Sequence, residues 1–316
     1  MIFFSATVPN VIINAIILIA AILCLWKGAD YLVDSASRIA EKLGISDLVI
    51  GLTVVAFGTS APEFAVTINA ALRKQADISV GNIVGSNIFN LGFILGSVAM
   101  VRSIQTTKKL VYRDGVFMFL ITLVLLFFFR DYHLAAYEGG ILMSLLALYM
   151  LILFIRKEPL EEQEIPHEKA TLKDYFILPL SVGAVVAGGH FLVESATFIA
   201  RTAGISEWVI GVTIVAAGTS APEMATSLAA VIKGKHGMSA GNLIGSDLFN
   251  ILGVLGLAGA INPMAINKSA MGSLIMLSGM VMVVLLFLRT GWRLSRAEGF
   301  ILFMLGVIRW GLDFYR

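Results

Sequence analysis

Long apolar runs separated by short polar turns dominate this chain. A helix needs about 20 predominantly apolar residues to cross a bilayer. On that measure the pattern predicts ten spans, over 8–38, 46–71, 78–101, 113–130, 135–155, 174–200, 206–232, 238–261, 270–288 and 297–314. The first and sixth are long. Both carry polar residues toward their C-terminal ends, Asp30, Asp34 and Arg38 in one and His190, Glu194 and Arg201 in the other. The second and seventh are interrupted by Gly, Pro and a glutamate at matching places.

That interruption belongs to a duplicated pattern. Gly58-Thr59-Ser60-Ala61-Pro62-Glu63 recurs as Gly218-Thr219-Ser220-Ala221-Pro222-Glu223. At the same offset, Gly81-Asn82-Ile83-Val84-Gly85-Ser86 recurs as Gly241-Asn242-Leu243-Ile244-Gly245-Ser246. Residues 44–96 and 204–256 are identical at roughly half their positions. A unit this large is an internal duplication; solenoid repeats run to about 20–50 residues. Five spans per half is an odd number, so the second half enters the membrane upside down relative to the first. The expected class is an all-α polytopic membrane protein of ten transmembrane helices, built as two inverted-topology five-helix repeats with broken helices at a central ion site. The first repeat covers 1–155, with its α-repeat near 46–101. A cytoplasmic linker covers 156–173. The second repeat covers 174–316, with its α-repeat near 206–261.

Composition agrees and excludes alternatives. The chain is 58% hydrophobic and 14% charged, against about 25% charged in a soluble domain. A formal net charge of +2 is too small to point to nucleic acid. Cys24, the single cysteine, lies in an apolar span, which leaves no intrachain disulfide and no thiolate metal cage. No cleavable leader is evident before the first span. Loop Lys and Arg concentrate on one side, including Arg38, Lys42, Arg102, Lys108, Lys109, Arg113, Arg156 and Lys157. That side is assigned to the cytoplasm, and both termini then face outward. The linker is rich in glutamate and reads as a solvated connector.

The chemistry lies in the doubled motif. Pro62 and Pro222 each remove a backbone donor and crowd the carbonyl four residues earlier, which belongs to Gly58 or Gly218. The break frees carbonyls to face a cavity, the setting in which non-helical backbone is tolerated at membrane depth. A freed carbonyl, a Thr or Ser hydroxyl and a carboxylate make a hard-oxygen set suited to Ca²⁺ or Na⁺. An ionisable group at this depth costs about 2.5–3.5 kcal/mol on insertion scales, so Glu63 and Glu223 read as functional. Together they carry −2, matching one Ca²⁺ or, with neutral oxygens, two or more Na⁺. Asn82, Ser86 and Asn90 share one helical face, as do Asn242, Ser246 and Asn250. His133, His167 and His236 read as loop residues, and His190 as a helix-face residue.

These motifs resemble those of the cation/Ca²⁺ exchanger superfamily, in particular its prokaryotic sodium/calcium exchanger branch. The resemblance covers both repeats and the ten-span layout. It implies a secondary antiporter exchanging Na⁺ for Ca²⁺ by alternating access. It implies Glu63 and Glu223 as carboxylates shared by the competing ions. Thr59 and Thr219 would offer carbonyls or hydroxyls. Ser60, Ser86 and Ala56 would line one Na⁺ site, and Ser220, Ser246 and Ala216 its symmetry mate, with Asn90 and Asn250 at the middle. The first and sixth spans would slide across the other eight. The branch often has Asp at the last position of the second motif, where this chain has Asn250; Asp247 lies one helical turn earlier and is a further candidate. No catalytic residue and no cofactor are expected. The partners expected are Ca²⁺, Na⁺ and the lipid bilayer, without nucleic acid or an obligate protein. The expected location is a prokaryotic cell membrane. An H⁺/Ca²⁺ or K⁺-dependent antiporter on the same fold remains the nearest alternative; an intramembrane enzyme or a cation channel is more distant.

Overall fold

The computed structural model describes residues 2–155, 170–206, 210–266 and 268–313. Residues 156–169, most of the expected linker, fall outside the described residues. The first half contains α1 (Ile2–Leu43), α2 (Asp47–Thr59), α3 (Ala61–Leu72), α4 (Ala76–Val101), α5 (Leu110–Asp131) and α6 (Ala136–Ile155). The second contains α7 (Leu172–Thr202), α8 (211–219), α9 (Ala221–Ile232), α10 (His236–Ile261), α11 (Lys268–Arg289) and α12 (Arg296–Asp313). Helix falls in every one of the ten predicted stretches. Among the described residues, seven helices are long and apolar enough to cross a membrane alone, and the bent pair α2–α3 makes an eighth. This is a multi-pass integral membrane protein.

Local chemistry sets the helix ends. Ser46 caps α2 by accepting the Val49 N–H. Thr171 and Asp174 form a reciprocal capping box at the start of α7, satisfying donors that a helix terminus otherwise leaves unpaired. Pro62 and Pro222 sit in the first turns of α3 and α9, where a missing N–H costs nothing.

The two halves meet antiparallel. Gly28 of α1 lies against Ala184 and Val185 of α7, and Gly188 of α7 lies against Ala21 and Leu25 of α1. At one end of this pair Arg38 reaches Asp174 at 2.6 Å. The glycines admit the close backbone approach that helices in lipid use in place of a hydrophobic drive. Two short strand pairs join the halves elsewhere. β1 (Ile104–Gln105) pairs antiparallel with β4 (Arg293–Leu294), and β2 (His133–Leu134) with β3 (Met264–Ala265). The register Ile104↔Leu294 is matched by Met264↔Leu134, the same contact with the halves exchanged. Likewise Arg102 donates to the Val231 carbonyl and Asn262 to that of Ala71.

The exchange symmetry is not complete. A Cβ added at Gly245 would lie 2.7 Å from both Cα and O of Leu52 in α2, and one at Gly241 would lie 2.7 Å from the Leu48 carbonyl. Among the described residues, nothing lies within 4 Å of where a Cβ would sit at their mates Gly85 and Gly81 in α4. So α10 is sealed against α2 at these glycines, while Gly81 and Gly85 of α4 are exposed.

Candidate functional site

Both glutamates lie just past a helix break. Ser60 (φ −76°, ψ 7°) and Ser220 (φ −90°, ψ 10°) leave the helical register between α2 and α3 and between α8 and α9. At the first break the axes bend by 51°. Next to each break lies a π-helical turn, Gly51–Val55 or Gly211–Val215. Two more, Asn90–Ile94 and Phe249–Leu255, take in the last asparagine of each second motif. Such turns widen the helix and are frequent at functional sites.

The breaks bring the two repeats together. Glu63 and Glu223 are each 0% exposed. Ser220 Oγ donates to Glu63 Oε1 at 3.2 Å, and Ser60 Oγ to Glu223 Oε1 at 3.4 Å. Each carboxylate is therefore held by the serine of the other repeat. Ser86 also faces Glu63, while Thr59 and Ser246 face Glu223. The Oε2 atom of each glutamate has no partner among the described residues. A buried polar atom without a partner is costly, so these two unpartnered carboxylate oxygens mark a place that a ligand can occupy.

The asparagines complete the frame. Asn82 Nδ2 donates to Thr67 Oγ1 at 2.9 Å and to the Glu63 carbonyl at 3.3 Å. Asn242 Nδ2 does the same to Ser227 Oγ at 2.9 Å and the Glu223 carbonyl at 3.4 Å. Thr59 Oγ1 lies 3.1 Å from Asn242 Oδ1 and 3.2 Å from Ser246 Oγ, and Ser246 Oγ lies 3.5 Å from the Ala56 carbonyl. At the centre Asn90 donates to Asp247 Oδ1 and Asn250 to Asn87 Oδ1, both at 3.0 Å. Asp247 Oδ2, Asn90 Oδ1 and Asn250 Oδ1 remain buried and unpartnered among the described residues.

The expected grouping of the neutral oxygens differs in one respect. Ser60 and Ala56 lie with Ser246 and Glu223, whereas Ser86 and Ser220 lie with Glu63, because the two breaks face each other across the repeat boundary. Thr219 and Ala216 hold the matching places at the end of α8. Asp247 both pairs with a neighbouring amide and keeps a free oxygen. Thr67, Ser227 and Asn87 were not among the residues singled out from sequence. The signal for the first two was available: both repeats hold a hydroxyl four residues after the glutamate. No three His, Cys, Asp or Glu side chains among the described residues form a metal-holding group. Two carboxylates supplemented by hydroxyls, amides and carbonyls can instead hold a hard cation, and at this depth the ion is cargo rather than a resident metal.

A multi-pass helical protein with a doubled, oxygen-lined site across its repeats has the architecture of a secondary transporter. Residues 13–155 and 173–308 match the model of the sodium/calcium exchanger protein family, and the chain belongs to that family. Similar proteins include sodium/calcium exchanger MaX1 of Methanosarcina acetivorans, 34% identical over 92% of this chain and 96% of its own. Putative antiporter CaxA of Alkalimonas amylolytica is 36% identical over 91% and 94%. A solved structure of the sodium-calcium exchanger NCX_Mj, soaked with Na⁺ and Sr²⁺, superposes with a TM-score of 0.83 at 30% identity, covering 94% of this chain and 97% of that one. These relatives are ion exchangers and antiporters, not enzymes.

Proposed function

We propose that this chain exchanges Na⁺ for Ca²⁺ across a prokaryotic cell membrane by alternating access, with Glu63 and Glu223 shared by the competing ions. The observation that carries the reading is the pair of fully buried glutamates, each with one oxygen tied to the opposite repeat and the other unpartnered. Ca²⁺ would take both Oε2 atoms, with carbonyls or hydroxyls of Thr59 and Thr219. Na⁺ would take the flanking oxygens of Ser60, Ser86, Ser220, Ser246, Ala56 and Ala216. Asn90, Asn250 and Asp247 form the floor between the flanking sites.

Competition follows from the charge. The two ions need the same two carboxylates, so one displaces the other. Moving an unloaded −2 cluster past apolar walls is expensive, and either load reduces that cost. Three Na⁺ for one Ca²⁺ would move one net charge, worth about 2.3 kcal/mol per 100 mV. In this reading the halves 1–155 and 174–316 are inverted five-helix units joined by the 156–173 linker. The Arg38 and Lys42 end faces the cytoplasm, both termini face outward, and α1 and α7 slide over the other helices.

The test is uptake of radiolabelled Ca²⁺ into proteoliposomes under an outward Na⁺ gradient, with K⁺ and H⁺ gradients as controls. Uptake that requires internal Na⁺ supports the proposal. Uptake driven by protons alone moves the chain to H⁺/Ca²⁺ exchange, and no Ca²⁺ flux under any gradient overturns the substrate.

A further inference from the structure

Away from the ion site, one charged cluster breaks the exchange symmetry of the molecule. Lys233, in the turn between α9 and α10, reaches Asp30 Oδ1 at 2.6 Å, Asp34 Oδ1 at 2.7 Å and the Asp30 carbonyl at 2.9 Å. This ties the turn to α1. Beside it, Lys235 reaches Asp47 of α2 at 2.9 Å. The mate of Lys233 is Arg73, in the turn between α3 and α4, and the mates of Asp30 and Asp34 are His190 and Glu194 of α7. Those three stand apart. Arg73 is exposed and makes no ion pair among the described residues. His190 and Glu194 have side chains 72% and 66% exposed, and their only ion pair among the described residues is with each other, at 3.8 Å.

The difference coincides with the glycine asymmetry. The clamped turn leads into α10, whose Gly241 and Gly245 are sealed against α2. The unclamped turn leads into α4, whose Gly81 and Gly85 face open space. One end of the molecule is therefore both latched and shut, and the symmetry-related end is both unlatched and open.

We infer that these two clusters are alternating ionic latches: Lys233 releases Asp30 and Asp34 as Arg73 captures Glu194, each holding α1 or α7 in one of two end states. The inference rests on the alternating-access reading above. The exchange symmetry supplies the second state, because swapping the packing of the two halves places Arg73 against Glu194 where Lys233 now meets Asp34. The latches are unequal. The first sets one cation against two carboxylates. The second sets one cation against one carboxylate, with His190 in place of the other. The state with the first latch closed is accordingly favoured when no ion gradient acts.

The experiment uses the full chain in proteoliposomes, with Cys24→Ala to remove the native thiol. The Arg73→Cys and Glu194→Cys pair then reports, through the initial rate of crosslinking by a short bismaleimide, how often the second latch positions meet. Adding Lys233→Gln is expected to raise that rate by about threefold or more, since a partly exposed ion-pair cluster biases a two-state equilibrium by about that factor. Lys233→Arg should keep it slow. Charge reversal with Asp30→Lys, Asp34→Lys and Lys233→Asp should bring it back down. An unchanged rate with Lys233→Gln overturns the inference. So does a charge-reversed variant as fast as Lys233→Gln, which would trace the effect to local damage rather than lost pairing. Crosslinking is read without transported ion, so failure of Na⁺-driven Ca²⁺ uptake counts against the exchange reading and leaves the latch result standing.

Discussion

Gly85→Ala separates folding from turnover in this protein. In the present state Gly85 has open space where a Cβ would go, and Ala in a helix is favoured over Gly by about 0.5–1 kcal/mol. The variant should fold and melt no lower than the parent. Under the proposed alternating access, Gly85 would come to meet what its mate Gly245 meets now: a Cβ there would sit 2.7 Å from Leu52 Cα and O and 2.8 Å from Ala56 Cβ. Those are backbone and short side-chain atoms that cannot swing away. Overpacking of this kind costs about 1–3 kcal/mol. Applied to one end state only, it lowers the population of that state by about 5–150-fold. Exchange requires both states, so the initial rate of Na⁺-driven Ca²⁺ uptake should fall by a similar factor. Ca²⁺ affinity in detergent, by calorimetry, should change little because the accessible state is untouched. A variant that binds Ca²⁺ normally and exchanges it within twofold of the parental rate would refute the reasoning.

Other perturbations test the site and its frame. Glu63→Gln or Glu223→Gln should abolish Na⁺-dependent Ca²⁺ uptake, because one remaining carboxylate cannot balance Ca²⁺; near-normal uptake in either would count against the shared-carboxylate site. Ser60→Ala and Ser220→Ala each remove a long hydrogen bond to a carboxylate, and with about 1.5 kcal/mol, the low end for a bond to a charged group, each should weaken Ca²⁺ binding by about tenfold in a titration. Lys235→Met removes the 2.9 Å ion pair to the buried Asp47, and a loss of up to about 3–5 kcal/mol for breaking a buried pair should appear as a drop in melting temperature in detergent. Removing Na⁺ from inside the vesicles should stop Ca²⁺ uptake and restoring it should recover the flux; uptake indifferent to internal Na⁺ would rule out Na⁺ as the coupling ion.

The local grammar of the ion site was readable from the chain alone. Proline after a glycine and before a glutamate announces a break, and the break lies at Ser60 and Ser220. A carboxylate at membrane depth announces cargo. The duplication announced that the halves would be related. What the chain did not disclose is which half supplies each neighbour. Ser60 serves Glu223 and Ser220 serves Glu63 because the two breaks face each other across the repeat boundary, a tertiary choice with no local signature. The π-helical turns were hidden for a similar reason, since one extra residue in a turn leaves apolar periodicity almost intact. Asp30, Asp34 and Lys233 were visible as charges, but a pairing over such sequence distance is set by how α1 lies on α9 and not by spacing.

The strand pairs have a consequence for how the chain is made. On a ribosome the first half emerges with β1 and β2 as bare edges, since their partners β4 and β3 lie at the far side of the second half. Neither edge closes until synthesis is nearly finished. The first half likewise lacks Ser220, the hydroxyl that holds its buried Glu63, until the second half is made. Two separately translated halves, co-expressed, should restore these contacts; one half alone supplies neither the strand partners nor the serine.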